Sequence, residues 1–210
     1  MTGREIIPTQ SAYLELKAER VGMHEGYRFL DEKRLILAAE ILAGLREYEQ
    51  AMASWREGQA DALAELRAAL GRHGIEELSI YPPLEPPECA LAGAARSVLG
   101  VRIEDWPREA AAVFEPSPGT TAVNQSPEAE ECRTAFARLL PIAARLACLT
   151  GNLERLRVEY VRTARRARAL EDVLLPEIDD SLRAIDTALE ELEREEAVRV
   201  RRAAGPSQAQ

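Results

Sequence analysis

Residues 150–202 read TGNLERLRVEYVRTARRARALEDVLLPEIDDSLRAIDTALEELEREEAVRVRR. Taken with the residues just upstream, they carry an apolar seam at Leu146, Leu149, Leu153, Leu156, Tyr160, Thr163, Ala167, Leu170 and Leu174. Steps of three and four alternate along it, which is the seam of a coiled coil. The steps stretch to fours through Ile178 and Leu182, then return to three and four at Ile185, Leu189 and Leu192. One stripe of such a helix is apolar, so it needs a partner helix to be stable in water.

The partner lies at the other end of the chain. Pro8-Thr9 closes a short lead-in, residues 1–9, and Thr9 or Ser11 can cap a helix. From there to about Leu70 there is no proline, and the stripe runs Met23, Tyr27, Leu30, Leu37, Ile41, Leu45, Tyr48, Met52, Trp55, Leu63, Leu66 and Leu70. The spacing slips near Gly44 and Gly58. Roughly 60 helical residues at about 1.5 Å each span about 90 Å, normal for a coiled coil and abnormal inside a globule. Gly71 and Gly74 should end this helix.

Between the two helices the composition changes. Prolines fall at 82, 83, 86, 87, 107, 116 and 118, each too costly for a helix interior. Leu78–Tyr81 and Ser97–Ile103 have strand character and could pair as a small hairpin; Arg96 to Val113 could instead hold a short helix. Residues 116–121 read as loop. Ser126-Pro127-Glu128 is a helix start, with serine as N-cap and proline in the first turn. Pro141 should kink or briefly break the helix, and Pro176 should kink it again. Gly205-Pro206 stops it.

The expected architecture is therefore all-α. Residues 10–70 and 126–203 form a long antiparallel two-helix coiled coil, 71–125 a small irregular insert with a possible short β-hairpin, and 204–210 a disordered tail.

The bulk properties fit long helices. Aromatic residues are 5% and charged residues 30% of the 210, few large apolar groups for a compact globule but enough for thin seams. A net charge of -9 argues against a general nucleic-acid binder. Cys89, Cys132 and Cys148 form no C-x-x-C pair and are odd in number, which suits a reduced, cytosolic compartment. Arg4 and Glu5 interrupt any signal-peptide core, and no run reaches the roughly 18 apolar residues of a membrane span.

The most distinctive chemistry is a charge inversion. Residues 155–168 hold six arginines (155, 157, 162, 165, 166, 168) and one acid, Glu159, whereas 171–196 hold eleven acids and two arginines. The plain reading is a solvated face with local pairs such as Glu159–Arg162, each contributing about 0.2–0.5 kcal/mol. The functional reading is a surface that meets charged collars on surrounding subunits, since screened pairs exchange more readily than interlocked apolar knobs.

Catalytic chemistry finds no support. The adjacent acids Glu171-Asp172, Asp179-Asp180 and Glu190-Glu191 point about 100° apart on a helix, poor geometry for a dyad. His24 and His73 lack ligand spacing to any cysteine. Neither Lys17 nor Lys33 follows a glycine, so no phosphate-binding G-x-x-x-x-G-K-[ST] loop exists. No catalytic residue, cofactor or metal is expected.

Three segments resemble a known family. Pro8-Thr9, Leu14, Leu16-Lys17 and Gly26-Tyr27-Arg28-Phe29-Leu30-Asp31-Glu32-Lys33-Arg34 are similar to the start of the D subunits of the V-type and A-type rotary ATPases. Arg162-Thr163-Ala164-Arg165-Arg166-Ala167-Arg168-Ala169-Leu170-Glu171, then Val173-Leu174-Leu175-Pro176, resembles that family's basic, Ala-Leu-Glu and Val-Ile-Pro signature. Glu191 to Glu196 with Arg199 resembles its ending, and Ser97–Val101 its short Met-Gly-Val segment. Arg168 replaces an asparagine of the pattern and Ala164 a basic residue, as in a divergent member.

The resemblance implies a non-catalytic central-stalk subunit, the shaft of a rotor. It would sit within a ring of catalytic and non-catalytic nucleotide-binding subunits, beside a small stalk subunit. An adaptor would join it to a membrane rotor ring that moves protons or sodium ions. It would be cytoplasmic, peripheral to the membrane through its complex. On this reading Arg162, Arg165, Arg166, Arg168, Glu171, Pro176, Lys33 and Arg34 contact partners, Pro176 marking a bend off axis. Leu30, Leu37, Leu170, Ile178, Leu182 and Leu189 form the seam, with Leu30 and Leu37 facing part of 170–192. The alternative is a free-standing coiled-coil adaptor or scaffold.

Overall fold

The computed structural model describes residues 7–81, 94–106 and 126–204. Two long helical stretches account for nearly all of them. Helix α1 is Gln10–Ile80, and a two-stranded antiparallel hairpin follows, β1 (Ala94–Val98) and β2 (Val101–Asp105). Helix α2 (Pro127–Ala169) continues through a π-helical turn (Leu170–Leu174) into α3 (Leu175–Ala204). This is the all-α class expected, an antiparallel helix pair with a short β insert. The prolines at 82–87 and 107–118, the loop at 116–121, Cys89 and the tail after Gly205 lie outside the described residues.

Local chemistry explains the helix ends. Thr9 is the cap of α1: its Oγ1 accepts from the Ala12 N–H at 3.2 Å, and its carbonyl accepts from Tyr13. Gly71 does not stop the helix. The backbone breaks only at Gly74, at φ 70°, and one further helical stretch reaches Ile80. Leu78–Tyr81 is therefore the end of a helix rather than a strand. Ser126 caps α2 as expected, its Oγ accepting from the Ala129 N–H. Helix α2 runs through Pro141 without interruption.

The chain divides into two compact units, 36–160 and 1–35 with 161–210. Within 36–160, α1 and α2 run antiparallel. Gly44 lies against Leu153, Gly58 against Leu139, and Arg72 bonds Glu128. The buried side of α1 is Leu37, Ala51, Ala62 and Ala69, with Ile41, Gly44, Tyr48, Trp55 and Gly58 half-buried between them. From Leu37 to Ala62 these positions keep unbroken three-and-four steps, and half-buried Leu66 carries the stripe on to Ala69. The expected slips at Gly44 and Gly58 do not occur; the glycines are themselves seam positions, and Leu45 and Leu63 face solvent. A Cβ at Gly44 would stand 3.1 Å from Leu153 Cδ2, and one at Gly58 would stand 3.0 Å from Leu139 Cδ2. Large leucines on one helix fill seats left by small residues on the other, so the backbones approach closely.

The hairpin closes one side of this unit. Its pairing runs from Ala94–Asp105 to Val98–Val101. Leu99 (φ 48°) and Gly100 (φ 88°) form a two-residue turn with both φ positive, which matches the twist of the strands. The turn thus falls inside the Ser97–Ile103 segment expected to be one strand. Strand alternation turns Val101 and Ile103 inward, where they form a core with Leu37 and Leu156, flanked by Ile41, Val98 and Tyr160. Leu37 therefore packs on the hairpin and Leu156, not on 170–192 as expected, because the antiparallel offset that seats Leu153 on Gly44 brings Tyr160 to this part of α1.

In the other unit, a Cβ added at Gly26 would stand 4.0 Å from Leu170 Cδ1, and Arg20 Nε pairs with Asp179 at 2.7 Å. Thr163, Ala167, Ile178 and Ile185 are buried, with Leu30, Leu170, Leu175, Leu182 and Leu189 half-buried. Leu174, expected on the seam, is 38% exposed, and its place is taken by Leu175. The cause is the π-helical turn, in which the Leu175 N–H bonds the Leu170 carbonyl. Pro176 follows in the first turn of α3; a regular helix would press its ring against the Asp172 carbonyl. Leu192, also expected on the seam, is 51% exposed, and from Glu190 to Ala203 every residue faces solvent among the described residues. Helix α1 begins at Gln10, and the Arg20–Asp179 offset leaves none of it opposite Leu192.

By length and composition, a window within Pro127–Ala203 reaches the level of a membrane-crossing helix, although no uninterrupted apolar run exists. Alanines and leucines raise its mean hydropathy. The stretch 139–149 carries Arg145 and seats Leu139 over Gly58 of α1, with Leu153 beyond it over Gly44, while Leu140 is exposed.

Candidate functional site

The structure resolves the expected basic band into two chemically different parts. The first two arginines are engaged within the chain. Arg157 pairs with Glu154 at 2.7 Å, and Arg155 works on the hairpin: its Nη1 donates to the Arg102 carbonyl at 3.1 Å and its Nη2 lies 3.3 Å from Glu104 Oε1. Arg165, Arg166 and Arg168 are exposed and meet no carboxylate within ion-pair distance among the described residues. Arg162 is exposed and engaged, and half-buried Glu159 is engaged as well. An open guanidinium row on a rigid helix can meet carboxylates on another protein at little entropic cost.

The remaining expected contact residues lie on α1 and in or just after the π-helical turn. Arg34 is half-buried, its Nη2 2.6 Å from Asp31 Oδ1 in an alignment that leaves this oxygen without a hydrogen bond. Lys33 is half-buried and engaged. Glu171, in the π-helical turn, accepts from Tyr27; partial burial and the nearby Glu171 carboxylate raise the phenol above its ordinary range. In the acidic band beyond, Asp179 pairs with Arg20, Asp180 with Arg183 and Glu190 with Arg194. Pro176 is exposed just after the turn.

Two constellations escaped sequence reasoning. Asn152, buried on α2, uses both ends of its amide on β2. Its Oδ1 accepts from the Glu104 N–H at 2.9 Å, and its Nδ2 donates to the Glu104 carbonyl at 2.7 Å. The side chain thus acts as a third strand for one residue, and Cys148 Sγ adds a bond to the same carbonyl at 3.1 Å. The only signal in the sequence was a polar residue interrupting an apolar helix face. On the other side of the hairpin, Arg96 bonds Glu40 at 3.1 Å and Asp105 at 3.4 Å. An open groove of about 940 Å³ lies between α1, α2 and the hairpin, with Glu47, Arg145 and Trp106 at its walls.

The second constellation joins the end of α1 to the start of α2. His73 Nε2 lies 2.6 Å from Ser126 Oγ, and its Nδ1 lies 3.4 Å from Glu77 Oε2. Serine, histidine and acid are in the order of a hydrolytic triad. The surroundings assign another role. Ser126 is 5% exposed, its hydroxyl donates to Glu128 Oε2 at 2.9 Å, and the same oxygen caps α2. A serine so engaged has no free path to a carbonyl carbon. Tyr81 OH adds a bond to Glu130. Glu128 is held below the usual carboxylate range by its own backbone N–H, then by Ser126 and Arg72. The cluster is a clamp across the end of the helix pair.

Other chemistry is absent among the described residues. No three His, Cys, Asp or Glu side chains converge as a metal site. Burial raises the thiols of Cys132 and Cys148, with Glu65 and Glu104 respectively adding to it, so neither is an activated nucleophile.

Comparison with known proteins identifies the family. A family model for the ATP synthase D subunit matches residues 12–205. The V-type ATP synthase D subunit of Thermotoga neapolitana is 26% identical over 197 residues, covering 94% of this chain and 96% of its own. The A-type ATP synthase D subunit of Thermococcus sibiricus is 29% identical over 204 residues, covering 94% and 92%. The V-type ATP synthase D subunit of Anaeromyxobacter dehalogenans strain 2CP-1 is 28% identical over 194 residues, covering 92% and 93%. The match runs from the first turns of α1 to the end of α3, and the chain therefore belongs to the ATP synthase D-subunit family, as a non-catalytic subunit of a V/A-type complex.

Proposed function

We propose that this chain is the central-stalk shaft of a V/A-type rotary ATPase, coupling ATP hydrolysis or synthesis to proton or sodium transport. Family membership supports the complex. The observation that carries the rotor reading is the open row Arg165, Arg166 and Arg168 on a helix whose seam is otherwise satisfied. A shaft needs contacts that steer and then exchange, and exposed charge pairs, each worth about 0–1 kcal/mol, meet that need.

In this reading the arginines, with Arg162, Glu171, Lys33 and Arg34, meet the catalytic and non-catalytic nucleotide-binding subunits. A small stalk subunit and an adaptor to the membrane ring complete the set of partners. Residues 10–70 and 126–203 serve as the shaft and 71–125 as its side insert. The chain works in the cytoplasm, reaches the membrane through its complex, and binds no nucleic acid.

The test is the double substitution Arg165→Glu/Arg166→Glu in the assembled complex. Melting temperature of the isolated chain should change little, because both side chains are exposed. Assembly or coupled transport should fall, most sharply at low salt. Unchanged transport in a fully assembled complex would reject the role of the arginines. Affinity capture of the tagged chain without any nucleotide-binding subunit would favour a free-standing adaptor.

A further inference from the structure

The π-helical turn is more than a consequence of Pro176. Before it, the inward positions Leu156, Tyr160, Thr163, Ala167 and Leu170 step by three and four; after it, Leu175, Ile178, Leu182, Ile185 and Leu189 do the same. Between Leu170 and Leu175 the step is five. The helix is a regular seam into which one residue has been inserted, and the π-helical turn absorbs it. Pro141 shows that a proline alone does not require this, since α2 passes through it as regular helix. The inserted turn pushes Val173 (45% exposed) and Leu174 (38%) outward as an adjacent apolar pair. Exposed acids border the pair, Glu171 and Asp172 before it and Glu177 after it.

Resting on the stalk reading above, we infer that this bulge is a docking knob for a neighbouring protein subunit. Its partner surface is an apolar socket rimmed by lysine or arginine. Charge complementarity selects the rim, because a socket of neutral or acidic rim would desolvate the carboxylates without return. Continuity selects the neighbour: Arg165, Arg166 and Arg168 lie one to two turns upstream on the same helix, so a subunit that meets the arginines is within reach of the knob. The insertion lets one seam stay buried while two apolar side chains serve another protein.

The test uses the full chain and the nucleotide-binding subunits encoded with it, with binding measured by interferometry and folding by thermal melting. Val173→Ser/Leu174→Ser should melt like the wild type and bind at least tenfold more weakly. Asp172→Lys/Glu177→Lys keeps the apolar pair and should also weaken binding, with the difference from wild type shrinking as salt rises. Serine-pair binding within twofold of wild type would overturn the knob, as would a lowered melting temperature, which would make the pair structural. Unchanged binding by the lysine pair would overturn the cationic rim. Wild-type chain that never joins the ring would remove the stalk reading and the knob with it; wild type and serine pair joining equally would remove the knob alone.

Discussion

Filling the seat at Gly44 should separate the two helices around it. A single added Cβ already meets Leu153 Cδ2 at 3.1 Å and Cγ at 3.7 Å, whereas carbon pairs rest at about 3.5–4.0 Å. Alanine asks only a small retreat of a flexible methyl. Leucine cannot be accommodated in that way, because Leu153 already occupies the space. Overpacking of this kind costs about 1–3 kcal/mol, and replacing a helical glycine returns about 0.8 kcal/mol. Gly44→Leu should therefore destabilise by about 0.2–2 kcal/mol, a melting-temperature loss of up to about 8 °C for a chain of this size. Two companions make the result specific. Gly71, where an added Cβ would meet nothing within 4 Å, should gain about 0.5–1 kcal/mol as Gly71→Ala. Gly44→Leu/Leu153→Ala exchanges the large and small partners and should be more stable than the sum of the single changes, by about 1–2 kcal/mol. Thermal and urea denaturation followed by circular dichroism measures these three variants together with Leu153→Ala. A Gly44→Leu variant as stable as Gly71→Ala, or a double variant that is merely additive, would refute the seat-and-filler packing.

Leu99 holds a positive φ that leucine adopts at a cost, so Leu99→Asn should stabilise the chain by about 1 kcal/mol in the same assay. Asn152→Leu leaves the N–H and carbonyl of Glu104 without their amide partner and should cost about 2–3 kcal/mol, with faster hydrogen exchange at the Glu104 amide. Glu128 is depressed in the folded chain, so its stabilising contribution is present above the ordinary carboxylate pKa and is lost as pH falls through the lower folded value. Melting measured from pH 6 to pH 2 should show an acid loss that is smaller in Glu128→Gln.

Much was legible in the residues alone. The two long helices follow from seam periodicity and from the confinement of clustered prolines to the middle of the chain. Ser126-Pro127 announces its helix start because capping is local chemistry, settled within four residues. The signature at 162–176 resembles the D-subunit family, and the family match over 12–205 agrees.

What the sequence could not decide was everything that depends on the facing element. A periodicity argument weights side chains by size, so it placed Leu45 and Leu63 on the seam and treated Gly44 and Gly58 as interruptions. A glycine contributes nothing to an apolar pattern; its burial is set by the leucine that the other helix puts over it. The run of fours through Leu170, Leu174, Ile178 and Leu182 marked an irregularity, but only the backbone hydrogen bond from Leu175 to Leu170 shows which residue is expelled. The hairpin register, and the buried amide of Asn152 that completes its edge, depend on residues that meet only in the folded chain, Asn152 and Glu104 lying about fifty apart in sequence. Such pairings leave no local trace of which residues meet, because each partner alone is an ordinary polar or β-branched residue, and their energy exists only once the chain has folded.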